Sequence, residues 1–330
     1  MTVLGAGMAG LVAAARAREL GAEVRVLEKG DRPGGSMRLS SGVIWRYREL
    51  VEFRRQCPGG DPELQRLIWE RLDEAIDWLE RLGAPVVARD TARELTAGRR
   101  FEPRGLTDAL VGAAGEIELS AAEATPREPL VVATGGYPVR LARERGLLRR
   151  SNPCSEGEGI DLVLARGGQA VAGDEFYGRA MPGPVPEALY VPAAQLYGRL
   201  ARRVNDRGEE FFPGEPSWSE NDLAQAIAAQ PGGRAWYELD AEALAHAEVV
   251  DRIPYAQETE ALPDGGLRVR VYAGVTHTYG GVRIDTRARA VDGVWVAGVD
   301  AGGISNGGYA SGLAQALVLG LLAAEDAVAS

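Results

Sequence analysis

Few residues of this chain have the type and spacing to do chemistry, and they cluster in glycine-rich turns. Gly5-Ala6-Gly7-Met8-Ala9-Gly10 is a GxGxxG turn, and Glu28 follows Gly10 at close to the ~20-residue spacing of a ribose-binding acid. Gly34-Gly35-Ser36, Ala133-Thr134-Gly135-Gly136 and Gly298-Val299-Asp300 are further glycine turns. Two histidines, His246 and His277, exclude a centre built on three imidazoles, and Lys29 is the only lysine that could form a Schiff base. Cys57 and Cys154 are isolated, with neither CxxC nor a Cys/His cluster. No metal is therefore expected, and the cysteine usage points to a reducing compartment.

The elements that must position these groups can be read around them. Thr2–Leu4 is a short apolar run before the first turn, residues 11–20 have helical character up to Gly21, and 23–27 alternate as a second strand ending at Glu28. Strand, glycine turn, helix, strand and acid in that order form a dinucleotide-binding unit. Gly5 permits the tight turn, Gly7 lets the backbone approach a pyrophosphate, and Gly10 lets helix and strand pack closely. The helix N-terminus then offers N–H groups and a positive dipole end to the phosphates. Residues 61–83 read as an amphipathic helix capped by Asp61-Pro62, 130–133 as a buried strand, 160–166 as a short helix and 267–272 as an alternating strand. Residues 294–297 read as another buried strand, and a final helix begins near Ser311.

At 330 residues, 45% apolar and 25% charged, the chain is long enough for two or three globular domains. A net charge of −10 without a basic run argues against nucleic acid and anionic membrane as partners. The most apolar segment, 312–324, falls short of the ~20 residues that span a bilayer and reads as a buried helix, so no membrane span and a cytoplasmic location are expected. Residues 172–266 are rich in proline and aromatics and read as an inserted domain. The expected fold is α/β: a Rossmann-like doubly wound parallel sheet over 1–171 and 267–330, interrupted by an α+β cap at 172–266.

Taken together, the motifs resemble flavoproteins of the fumarate reductase and succinate dehydrogenase superfamily, which also holds 3-ketosteroid dehydrogenases and tricarballylate dehydrogenase. The resemblance covers most of the chain. It is carried by GAGMAG at 5–10 with Glu28, GGSMRLSSG at 34–42, VVATGG at 131–136, GVTHTYGGVRID at 274–285, GVWVAGVDAGG at 293–303 and then Ser311-Gly312-Leu313. VNDRGEEF at 204–211 and AAQPGGRAWYELD at 228–240 are nearest the tricarballylate-dehydrogenase-like branch. The resemblance implies FAD, a small-molecule substrate, an electron donor or acceptor yet to be named, and hydride transfer at a carbon–carbon bond beside a carbonyl or carboxylate.

The residues expected at the cofactor are those of the first turn, Gly5, Ala6, Gly7, Met8, Ala9 and Gly10, with Glu28 and Lys29. Gly34, Gly35, Ser36, Ser40, Ser41 and Gly42 would run along the flavin, followed by Ala133, Thr134, Gly135 and Gly136. Gly298, Asp300, Ser311, Gly312 and Leu313 would close the site. FAD is favoured over NAD because Asp300 could accept a hydrogen bond from a ribityl hydroxyl, and because the helix near Ser311 points a positive dipole end at the flavin.

His277 aligns with the family's substrate-carboxylate histidine. The arginine proton donor of fumarate-reducing members is absent from 213–219, and their carboxylate-binding arginine is replaced within Asn306-Gly307-Gly308-Tyr309. Fumarate reduction is therefore not expected, and Tyr309, Arg179 and Tyr177 are the candidate proton donors. A flavin-binding protein without catalysis and a plain NAD dehydrogenase are the alternatives.

Overall fold

The computed structural model describes residues 1–122, 124–195 and 197–330. The chain divides into two compact units. The first comprises Met1–Tyr137, Asn152–Glu175 and His277–Ser330, the second Pro138–Ser151 and Phe176–Thr276.

In the first unit, among the described residues, a six-stranded sheet runs in the order Arg289–Val291, Val294–Val296, Leu130–Val132, Thr2–Leu4, Arg25–Leu27, Ile117–Glu118. All neighbours are parallel except the first pair. The inner strands are short and apolar on both faces, as parallel strands covered on two sides must be. Leu130, Val131 and Val132 are buried throughout, as are Val294, Trp295 and Val296. Thr2–Leu4 has Arg25–Leu27 on one side and Leu130–Val132 on the other, so the strand order reverses about it. The carboxyl ends at such a reversal are where ligands of open α/β sheets bind. Here those ends lead into Gly5, Glu28, Ala133 and Ala297, the starts of the turns singled out in the sequence.

The first helix, Met8–Glu19, packs against the last, Gly312–Ala329. Close contact is possible because the first helix is built from small residues: Ala13, Ala14 and Ala17 are fully enclosed. The last helix has 18 residues, longer than the segment anticipated, and is long and apolar enough to cross a membrane, with 61% of it buried in the fold. The helix Pro62–Arg81 starts as read, Asp61 accepting the amides of Glu63 and Leu64.

The second unit is organised on one long strand, Leu267–Thr278, of which the residues up to Thr276 belong to it. It pairs antiparallel with Arg234–Leu239 and Thr259–Ala261, and parallel with Leu148–Arg149 through Gly274 and Val275. The boundaries consequently differ from those read in the sequence. The strand extends beyond 267–272, and the pairing of Leu148–Arg149 draws Pro138–Ser151 into this unit rather than leaving it with 1–171. The aromatics that marked the segment do pack: Phe176, Tyr190, Tyr197, Trp236 and Tyr237 are buried. Arg270, opposite Trp236 in register, holds its guanidinium 3.7 Å from the indole centre.

One acid is enclosed in this unit. Glu220 adopts a left-handed conformation (φ 51°) just before the helix Asn221–Ala228, and its Oε1 accepts the Arg199 amide at 3.0 Å. It lies among the fully buried rings of Tyr197 and Tyr237, whose centroids are 5.9 Å apart. Burial pushes its carboxyl up, against the pull of the Arg199 and Gly198 amides and the nearby charges of Arg179 and Arg199. A carboxyl raised in the folded state contributes stability that is present below its ordinary value near ~4.3 and is lost as pH rises through the folded value. Glu220→Gln should therefore gain stability relative to wild type as pH rises, levelling off once the native acid has ionised. Denaturant midpoints from pH 4 to 8 check this, and parallel curves for the two proteins would refute it.

Candidate functional site

The nucleotide end of the site is built by close backbone approach. Gly5 has φ +95°, and a methyl group there would stand 2.3 Å from the Ala133 oxygen. A methyl at Gly10 would stand 1.9 Å from the Gly5 oxygen, so strand turn and helix meet only because both positions lack a side chain. Glu28 is buried at the end of its strand, with one carboxylate oxygen accepting the Ala6 amide and the other the Gly30 amide, both at 2.7 Å. Each oxygen keeps a lone pair for a ribose hydroxyl.

The first helix carries no side-chain cap and no acid in its first turn, while Arg16 and Arg18 occupy its last. That pattern leaves the N-terminal dipole end available to an anion. Gly34 donates its amide to the Ala6 oxygen at 2.7 Å, bringing the second glycine turn onto the first. Ser36 Oγ accepts the Asn152 amide at 2.9 Å. Lys29 is engaged in an ion pair with Glu158.

The flavin end differs from expectation at Asp300. Its carboxylate is 0% exposed and accepts the Thr134 amide and hydroxyl, the Gly136 amide at 2.8 Å and the Gly135 amide at 3.3 Å. An enclosed carboxylate with these donors does not reach a ribityl hydroxyl. It clamps the 134–136 turn instead. Gln315, also buried, donates through Nε2 to the Gly298 oxygen at 2.8 Å and the Ala301 oxygen at 2.9 Å, tying the last helix to the turn that carries Asp300. Ser311 caps that helix, its Oγ accepting the Ala314 amide, and Leu313 is half-buried in the first turn. In the 34–42 stretch, Ser40 Oγ donates to the Met37 oxygen and accepts the Gly42 amide, and the Ser41 oxygen accepts from Arg100. The Ser40 hydroxyl is therefore occupied in its own turn, and the bond from Arg100 holds the Ser41 main chain.

At the reacting end, His277 and Tyr309 both belong to the first unit and are half-buried. A methyl at Gly312 would stand 2.9 Å from His277 Cε1, so the imidazole lies against the first residue of the last helix. Thr278, next along the strand, accepts the Tyr137 amide at 3.4 Å. Tyr309 packs on Trp45 with ring centroids 5.3 Å apart. Tyr177 and Arg179 lie in the second unit, the guanidinium 4.9 Å from the phenol ring centre. The sequence reading missed Trp45, Tyr47, Tyr279 and Gln315. The first two had a visible signal, since i and i+2 aromatics share one face of a strand.

The residues present fit FAD. Beside Gly7 the nearest atom to an added methyl is the Gly35 Cα, at 4.0 Å, so Gly7 leaves open space where a pyrophosphate must approach. Gly7 also has an extended conformation that other residues adopt (φ −81°, ψ −170°). Gly7→Val should therefore leave the melting temperature of the flavin-free protein nearly unchanged while abolishing FAD uptake. Gly10→Ala should lower the melting temperature of the same flavin-free protein, because its methyl meets backbone. Thermal melts and flavin titration separate the two effects, and equal destabilisation by both substitutions would contradict this geometry.

The family model described as FAD binding domain matches residues 1–107. The fumarate reductase (cytochrome) of Shewanella frigidimarina is 22% identical, covering 99% of this chain and 76% of that protein. Among solved structures, 3-ketosteroid-Δ4-(5α)-dehydrogenase from Rhodococcus jostii superposes with a TM-score of 0.76 at 16% identity, covering 99% of this chain and 96% of that one. 3-Ketosteroid Δ1-dehydrogenase from Sterolibacterium denitrificans gives the same score at 14% identity, with 99% of each chain covered. Residues 1–107 thus match an FAD binding domain, which indicates FAD as the cofactor, and over nearly its whole length the chain is similar in sequence to fumarate reductases and in fold to 3-ketosteroid dehydrogenases.

Proposed function

We propose that this protein is an FAD-dependent oxidoreductase that adds or removes hydrogen across a carbon–carbon bond next to a ketone carbonyl. The observation that carries this reading is the contact of His277 with Gly312, which brings an imidazole to the positive end of the last helix, three residues from the half-exposed phenol of Tyr309. When bound, FAD supplies the hydride acceptor or donor. His277 donates a hydrogen bond to the substrate carbonyl, where negative charge grows as the C–H bond breaks or forms. Tyr309 moves the proton at the adjacent carbon. Gly308-Tyr309 in place of a carboxylate-binding arginine, with Trp45 against the Tyr309 ring, supports an uncharged substrate over a dicarboxylate. The Rhodococcus jostii relative was solved with 4-androstene-3,17-dione, a ketone of that kind.

The test is anaerobic. Photoreduced, FAD-loaded protein is mixed with cyclohex-2-enone, 4-androstene-3,17-dione or fumarate, and oxidised protein with the saturated ketones. Reoxidation by an enone, or reduction by its saturated partner, at a rate above that in buffer is expected, with fumarate inert. Response to fumarate alone would replace the ketone by a dicarboxylate, and no response to any of them would favour a flavin-binding protein without this activity. His277→Ala should slow turnover by ~10²–10³-fold, the scale of deleting one oxyanion donor, with flavin content and melting temperature nearly unchanged. Intact turnover in the loaded variant would remove His277 from the mechanism.

A further inference from the structure

The main chain at Gly308 and Tyr309 is held by hydrogen bonds from two buried phenols. Tyr47 Oη donates to the Tyr309 oxygen at 2.6 Å, and the Tyr309 backbone also hydrogen-bonds to the fully buried Cys57. One residue earlier, Tyr279 Oη donates to the Gly308 oxygen at 2.7 Å. Gly308 itself has no room to shift, since a methyl there would stand 1.7 Å from the Gln56 oxygen. Tyr47 is 1% exposed and Tyr279 4% exposed, so neither phenol faces a substrate; each is turned to a main-chain carbonyl of this loop.

Tyr279 has a second neighbour that matters. Its ring centroid lies 5.7 Å from that of His277, two residues earlier in the chain and on the strand that ends at Thr278. Its own amide is anchored on the Glu175 oxygen at 2.9 Å, and Glu175 Oε2 accepts the Gly307 amide at 3.0 Å. One aromatic side chain therefore touches the imidazole on one side and fixes the loop of the phenol on the other.

We propose that Tyr279, assisted by Tyr47, is a positioning residue that sets the separation of the His277 imidazole and the Tyr309 phenol. This rests on the reading of those two as the carbonyl donor and the proton carrier. Proton transfer and carbonyl polarisation at adjacent atoms tolerate little error: a displacement near 1 Å can cost ~10²-fold in rate. A buried tyrosine hydroxyl bound to a carbonyl can be deleted with little change of shape, and Tyr→Phe isolates that bond while leaving the carbonyl without its donor.

The experiment compares FAD-loaded Tyr279→Phe, Tyr47→Phe and Tyr309→Phe with wild type in the enone reaction, with hydrogen–deuterium exchange of the 305–310 segment as the readout independent of turnover. Tyr279→Phe is expected to lower kcat by ~10–100-fold with KM within about threefold, and to speed exchange in 305–310, at unchanged flavin content. Tyr47→Phe should act in the same direction and provides the second variant if Tyr279→Phe is poorly folded. If Tyr309→Phe is impaired while Tyr279→Phe and Tyr47→Phe keep wild-type kcat and exchange, the positioning role is overturned and the catalytic reading stands. If Tyr309→Phe turns over normally, the proton-carrier reading fails, and this inference with it.

Discussion

The cofactor side of the molecule depends on one buried charge, the carboxylate of Asp300. Burial pushes its carboxyl up, while the amides of Gly136, Thr134 and Gly135 and the Thr134 hydroxyl pull the other way. Bonds of this kind to a charged group contribute ~1.5–3 kcal/mol each when well made, and a buried charge deprived of them costs more than they return. The arrangement is therefore nearly all or nothing. Asp300 holds the 134–136 turn, Gln315 holds the turn bearing Asp300 to the last helix, and Gly5 lies against Ala133. Three glycine turns and one helix N-terminus are locked into a single preformed seat.

That seat shows what a sequence can and cannot convey. GAGMAG and Glu28 were legible because everything that defines them is local: a strand, a turn, a helix and a second strand within 28 residues, each with its own pattern. Asp300 was visible as an acid after a glycine, yet its hold on the 134–136 turn was not. Whether such an acid faces a ribityl chain or a backbone turn depends on Leu130–Val132 lying beside Val294–Val296, a pairing across about half the chain. The same cause displaced the unit boundaries. Leu148–Arg149 is too short to announce itself, and only its partner at Gly274–Val275 explains why Pro138–Ser151 leaves the nucleotide-binding unit.

At the candidate reacting end the chemistry-bearing residue types were legible and their support was not. His277 and Tyr309 could be picked out by type and by the motifs around them. Cys57 and Tyr279 could not, because a tyrosine that donates to a carbonyl and a buried thiol read as ordinary core residues until the 305–310 loop is seen lying on them. Burial pushes the Cys57 thiol up to about 12, which leaves it an inert neutral neighbour rather than a nucleophile.

Charge at the reacting end follows a different logic from charge on the surface. Arginine supplies every cationic side chain but Lys29, and many of these guanidiniums lie in surface ion pairs such as Arg46 with Asp73 and Arg99 with Asp77. Pairs of that kind contribute little individually. The 306–309 loop carries no arginine and is held by neutral phenols donating to carbonyls. A loop bound this way adds no fixed cation of its own. Negative charge developing on a substrate there would be met by the His277 imidazole and the dipole end at Gly312, both of which favour charge as it forms without strongly binding an anion already present. On the proposed reading, such a balance suits a ketone that becomes enolate-like during the reaction, a substrate that does not call for the arginine a dicarboxylate would need.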